Sequence, residues 1–266
     1  MPTETINGAD LYYESAGDGP AIVLLHGVLM SSRFFSEQQP LSDTYQLISL
    51  DFRGHGRSEK TDTGHTLPQY ARDLEAFLDA QTLSDVVVVG WSMGSLVVWE
   101  YMRQFGTDRL QGFVSVDQQP LDLEQEGYEH GVFDFADLSG LMELTQTDPH
   151  AVAQSFVDEM LVDEPESVRQ TLFDEITRVP PPIMNAILFD QSVRDYREVV
   201  PESDVPTLVC LGEDETMVEN AGVEYVADTT PAAELERFSE SGHCPFLEEP
   251  DRFNQAVSSF IEDRCR

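Results

Sequence analysis

The chain has almost no lysine: of its fifteen basic residues only Lys60 is not an arginine, and fifty aspartates and glutamates stand against them, for a formal net charge of −35. Such a surplus repels a phosphate backbone, which excludes nucleic acid as a partner, and an anionic membrane surface is disfavoured for the same reason. The acids run from Glu4 to Asp263 without a long uninterrupted block, so the charge is spread over the surface rather than gathered into one binding patch. Cysteine is scarce too. Cys210, Cys244 and Cys265 are an odd number without paired spacing, which implies neither a disulfide framework nor a zinc knuckle and points to a reducing cytoplasm. Apolar runs such as 21–25 and 86–89 are only strand-length, too short to span a membrane. The opening Met-Pro-Thr-Glu-Thr-Ile has neither the basic region nor the apolar stretch of a secretory signal.

What is present is enough for one sizeable core: 266 residues, 41% apolar and 9% aromatic, within the range of globular chains. Short apolar strands alternate with helical patterns, the rhythm of a largely parallel sheet flanked by helices. After a hairpin ending near Gly17-Asp18-Gly19, strands are expected at 21–25, 45–50, 85–90, 113–116, 207–211 and 234–238. Four consecutive valines at 86–89 require cover on both faces of the sheet. Helices are expected at 66–80, with Thr66 as cap and Pro68 in the first turn, at 96–105, and at the C-terminus, where Phe253, Ala256, Val257, Phe260 and Ile261 form one stripe. From 120 to 201 the strand rhythm stops and short amphipathic stretches such as 151–161 take over, punctuated by Pro149, Pro165 and Pro180-Pro181-Pro182. The expected organisation is an α/β core in two parts, 1–119 and 202–266, interrupted after the sixth strand by a helical insertion, 120–201.

Chemistry enters at Gly90-Trp91-Ser92-Met93-Gly94. The motif follows a buried strand and opens a helix, as a nucleophile elbow requires, and its glycines relieve a turn so tight that side chains two positions either side of the serine would clash. The plainer alternative is an ordinary strand–helix turn with a capping serine. His26-Gly27-Val28 ends the third strand, where the Val28 N–H could join that of Met93 in an oxyanion hole; His26 itself reads as a structural loop residue. Asp51-Phe52-Arg53-Gly54-His55-Gly56-Arg57-Ser58 reads as a glycine-shaped loop and not a metal site, since no histidine or cysteine cluster accompanies it. Ser241-Gly242-His243-Cys244-Pro245-Phe246 follows the last strand, and its Ser-Gly and Pro flanks describe a surface loop. A histidine there can swing over Ser92 as general base. Cys244 reads as a packed neighbour.

In this order along the chain, the motifs resemble those of the α/β-hydrolases, over 5–120 and 200–264, and are similar to small capped esterases and cofactor-free haloperoxidases. The resemblance implies a doubly wound, mostly parallel sheet with a helical cap, no cofactor and no metal, Ser92 as nucleophile, His243 as base, and Val28 and Met93 as oxyanion donors. The triad acid stays open. Glu215, in Gly212-Glu213-Asp214-Glu215, matches the family's position after the seventh strand but is one methylene longer than the usual aspartate. Asp117 ends the apolar run 113–116, where other members carry their acid, and it is the choice preferred here; Asp214 is a third candidate. The cap, with Phe133, Phe135, Leu138, Leu141, Met142, Phe156, Met160, Phe173, Met184, Leu188 and Phe189, would close an apolar pocket over the serine. These features imply hydrolysis of small to medium hydrophobic esters through an acyl-enzyme. Peracid formation with halide oxidation, carbon–carbon hydrolysis and enol-lactone opening use the same machinery, and a non-catalytic ligand receptor is the alternative outside enzymology. The scattered acid and the choice of arginine resemble cytoplasmic proteins of salt-accumulating microbes.

Overall fold

The computed structural model describes residues 2–162, 165–214 and 216–265. Its strands form one sheet. β1 (Thr3–Ile6) and β2 (Ala9–Ala16) make a hairpin about Asn7-Gly8, both with positive φ, the geometry that a two-residue hairpin turn needs. Strands β3 (Ala21–Leu25), β4 (Gln46–Leu50), β5 (Val86–Trp91), β6 (Leu110–Val116), β7 (Thr207–Gly212) and β8 (Ala233–Phe238) follow, and the order across the sheet is β1-β2-β4-β3-β5-β6-β7-β8. From β4 to β8 every neighbouring pair is parallel. Every residue of β3, β5 and β7 is buried, as the valine run requires, because helices cover both faces.

Between the strands run α1 (Leu67–Ala80) and α2 (Met93–Phe105); after β7 come α7 (Asn220–Thr229) and, beyond β8, the short α8 (Pro245–Glu248) and α9 (Pro250–Arg264). Thr66 caps α1, its hydroxyl accepting from the Gln69 N–H, with proline in the first turn as expected. α2 begins at Met93, three residues earlier than the apolar periodicity indicated, because the elbow turn runs straight into it. Neither α7 nor the 3-10 segment Ser32–Asp43 was expected; the latter carries Pro40 inside and a break at Phe35, so no regular period marks it. The insertion after the sixth strand is helical: α3 (Phe135–Thr147), α4 (Pro149–Met160), α5 (Glu166–Thr177) and α6 (Pro181–Ser192) all lie between β6 and β7. Asp190 on α6 accepts from the Leu67 N–H at 2.8 Å, so one carboxylate serves an otherwise orphaned amide of α1 and ties the insertion to the sheet layer.

Chain order decides where a ligand can go. β4 lies on one side of β3 and β5 on the other, so the connections leave in opposite directions and open a crevice at the carboxyl ends of β3 and β5. Leu25 pairs with Gly90 there, which brings Gly27-Val28 and Ser92 together at the mouth of the crevice.

Candidate active site

Ser92 sits at φ 52°, ψ −121°, a conformation that costs a residue with a side chain on the order of 1–3 kcal/mol and persists only where the surroundings enforce it. They do so closely. A Cβ on Gly90 would lie 2.6 Å from the Gly94 carbonyl carbon and the Ser95 nitrogen, and one on Gly94 would strike the Leu25 carbonyl oxygen. The turn is pinned further by the Ser92 N–H donating to the Val116 carbonyl at 2.9 Å and by the Ser95 hydroxyl donating to the Gly90 carbonyl at 2.6 Å. The hydroxyl thus stands at the N-terminus of α2, where the helix dipole favours developing negative charge. Among the described residues the Val28 and Met93 N–H groups have no hydrogen-bond partner of their own. His26 ties its own loop to the one that follows β4. Its Nε2 accepts from the Phe52 N–H at 3.1 Å, its Nδ1 lies 2.7 Å from the Gly27 carbonyl, and burial lowers its pKa so that the ring stays neutral.

His243 is brought to the same place from the far end of the chain. The Trp91 indole N–H, one residue before Ser92, donates to the His243 carbonyl at 2.9 Å. The His243 N–H donates to the Met160 carbonyl at the end of α4, at 3.2 Å. Glu248 spans the same junction, accepting from the Gly242 N–H at 2.9 Å and the Val162 N–H at 2.8 Å. The loop is therefore not a surface loop, contrary to what its flanking residues indicate: His243 is 2% exposed because the insertion lies on top of it. Cys244 is fully buried beside it, as the packed-neighbour reading has it.

Asp117 follows β6 with φ 43°, a left-handed, non-glycine residue on the same edge of the sheet as Leu29 and Ser92. Its N–H donates to the Cys210 carbonyl, and its fully buried carboxylate accepts from the Gly212 N–H, with oxygens at 3.0 and 3.3 Å. Asp117 thus fastens the end of β6 to the end of β7. Asp214 is exposed, its N–H held by the Ser241 carbonyl at 3.0 Å. Glu215 lies outside the described residues.

Ser92 and His243 line one narrow pocket with a free volume of about 50 Å³, together with Val28. Of the insertion residues expected over the serine, Phe133, Phe156 and Leu188 face this pocket, while Leu138, Met160 and Met184 are buried within the insertion. Phe135 and Phe189 do neither; they are 70% and 47% exposed. Three polar side chains in the pocket wall went unrecognised in the sequence: Gln118, Asp122 and Gln191. Asp122 accepts from the Gln118 amide at 2.8 Å and from the Gln191 amide at 3.3 Å. Burial pushes its carboxyl up to about 6, against the pull of those two hydrogen bonds and of His243 nearby. Nothing in the sequence couples Asp122 to Gln191, 69 residues later.

Among the described residues no three His, Cys, Asp or Glu side chains are placed to hold a metal ion, and no helix is long and apolar enough to cross a membrane. The family described as alpha/beta hydrolase fold matches residues 20–250. A non-heme haloperoxidase of Rhodococcus erythropolis is 27% identical over 281 residues, 98% of this chain and 100% of that one. A bromoperoxidase from Bacillus anthracis superposes with a TM-score of 0.94 at 25% identity, over 98% of this chain and 99% of its own. An esterase from Rhodococcus sp. ECU1013 does so with a TM-score of 0.86 at 26% identity, over 98% of both chains.

Proposed function

The chain belongs to the α/β-hydrolase fold family, and from that premise we propose that it is a serine hydrolase acting on small, largely hydrophobic esters. The observation that carries the proposal is the strained Ser92 backbone at the head of α2, opening into the pocket that His243 also lines. In this reading His243 takes the Ser92 proton as the hydroxyl attacks the ester carbonyl, and the Val28 and Met93 N–H groups receive the oxyanion. His243 then returns the proton to the departing alkoxide, and water releases the acid by the same steps. A carboxylate, Asp117 or Glu215, holds the imidazole in the correct tautomer and stabilises the imidazolium without taking its proton. Residues 120–201 form the cap that closes the acyl pocket over Ser92, and 1–119 with 202–266 form the catalytic body.

A panel of p-nitrophenyl esters of rising chain length tests the reading. Turnover should peak at short chains, because the pocket is small, and fall by roughly a thousandfold or more in Ser92→Ala. Equal rates in the two proteins would refute it.

The haloperoxidase names of the relatives favour a second use of the same site. There hydrogen peroxide replaces water as acceptor of the acyl group, releasing a peracid and free Ser92; the peracid then oxidises halide to hypohalous acid and is itself reduced to the carboxylic acid. Halogenation of monochlorodimedone in acetate with peroxide, measured against plain ester hydrolysis, ranks the two activities. We also read the charge of −35 as a surface built for brine. Unfolding should set in as potassium chloride is lowered below about 1 M, where the screening length grows beyond about 3 Å; full stability in dilute buffer would contradict this.

A further inference from the structure

The pocket beside Ser92 is apolar on most of its wall, through Val28, Val132, Phe133, Phe156 and Leu188, yet it holds a buried carboxyl and two carboxamides. An acyl or alkyl chain needs none of these, and burying them is costly unless something answers their hydrogen-bonding capacity. Within the protein they are answered only in part. Gln118 and Gln191 both turn their amide N–H toward Asp122, which leaves the Gln191 Oε1 fully buried without a hydrogen-bond partner. Gln191 is 6% exposed and Asp122 3% exposed, and both face the cavity. An unanswered acceptor beside a carboxyl, in the wall of the pocket that holds Ser92, is placed where a ligand group can complete its hydrogen bonding.

We propose that Asp122 and Gln191 form a hydroxyl-binding subsite, and that the preferred substrates are small esters carrying a hydroxyl group on the chain that enters this pocket. The proposal rests on the serine-hydrolase reading above and narrows its substrate class. A neutral hydroxyl fits because it both donates and accepts. With Asp122 protonated it accepts the acid proton and donates its own to the Gln191 Oε1; with Asp122 ionised its single proton goes either to the carboxylate or to the Gln191 Oε1. The carboxyl held up to about 6 by burial is consistent with a site that exists in both forms near neutral pH. An ammonium group fits less well, since a cation would have to shed its water in a narrow apolar pocket whose one carboxylate is already shared by two amides.

The test compares kcat/KM by pH-stat in concentrated potassium chloride for two pairs: methyl 3-hydroxybutyrate against methyl butyrate, and 3-hydroxybutyl acetate against butyl acetate. A pocket that hydrogen-bonds a hydroxyl rejects the analogue lacking it by a large factor, because its own polar groups are then left unpaired. The expected result is a preference of tenfold or more for the hydroxylated member of at least one pair. That preference should fall below threefold in Asp122→Leu and be reduced in Gln191→Met. Fluorophosphonate labelling of Ser92 counts intact sites in each variant, and if Asp122→Leu does not fold, Gln191→Met decides. Equal rates within both pairs, or a preference unchanged in the variants, overturns the subsite while leaving the hydrolase reading intact. No hydrolysis of any ester together with no labelling overturns the hydrolase reading, and the subsite with it.

Discussion

The body and the insertion handle buried charge differently. In the body, Asp73 on α1 is 1% exposed and receives four donors: the Arg53 Nε at 2.6 Å and Nη2 at 2.9 Å, the Asn7 amide at 2.9 Å and the Gln69 amide at 2.8 Å. Arg53 is itself buried, so both charges have left water, and their mutual geometry and the two amides compensate. In the insertion, Glu175 on α5 is just as buried, but its partners Arg33 and Arg178 keep about half of their side-chain surface in water, at 3.4 and 2.8 Å. The floor of the pocket belongs to the first kind of construction. Ser92 and Asp117 are held in left-handed conformations by backbone hydrogen bonds to neighbouring strands. The roof is built on the side chains of Phe133, Phe156, Leu188 and Gln191, three of them from the helices of the insertion. Strand ends can carry the reacting groups, and the side chains of the insertion can carry selection. Asp122 and Gln191 meet where the two join.

Five substitutions sharpen this contrast, and the largest effect is expected at the triad acid. Asp117→Asn and Glu215→Gln separate the two candidates for the triad acid: the residue that orients His243 should lose roughly ten-thousandfold in kcat, and the other less than about tenfold. Small losses in both would place the orienting group elsewhere. Next come the two buried acids. Asp73→Ala should cost about 3–5 kcal/mol in urea unfolding, because it leaves the Arg53 charge buried and unanswered. Glu175→Ala should cost about 1 kcal/mol beyond its lost packing, since its arginines simply return to water. Equal costs would erase the distinction between body and cap.

The effect at the junction is one of pH. The Asp122 carboxyl lies at about 6 in the folded protein against 3.8 for the ordinary group, so the native state binds that proton more tightly than the unfolded chain. The contribution to stability is full below about pH 4 and is lost as pH rises through about 6, by an amount on the order of 3 kcal/mol or less. Asp122→Asn removes the ionisation. Its stability relative to the parent should therefore rise by about 1–3 kcal/mol between pH 4 and pH 8 at constant salt. A difference that stays flat with pH would show that Asp122 does not titrate in this range.

Much of the body is legible in the sequence because its determinants are local. The valines of β5 lie side by side, the elbow glycines flank their serine within five residues, and the Thr66–Pro68 start of α1 is a single short signature. The pocket is less legible because its wall is assembled from distant pieces. The burial of His243 depends on the Met160 carbonyl, some eighty positions upstream, so the Ser-Gly and Pro flanks correctly mark a loop and say nothing of the helix above it. Phe135 and Phe189 read as cap interior from composition alone, yet they face solvent, since short helices packed mainly on one another leave room for apolar residues outside. Asp122 is one acid among fifty, and only its burial beside Gln118 and Gln191 sets it apart.

The serine at the head of α2 is the point on which the functional reading turns, and a fluorophosphonate probe with intact-protein mass spectrometry addresses it directly. One equivalent should add to the native protein in concentrated potassium chloride, none to Ser92→Ala, and the rate of addition should collapse in His243→Gln. Native protein that stays unlabelled, or a label that persists in Ser92→Ala, would contradict it.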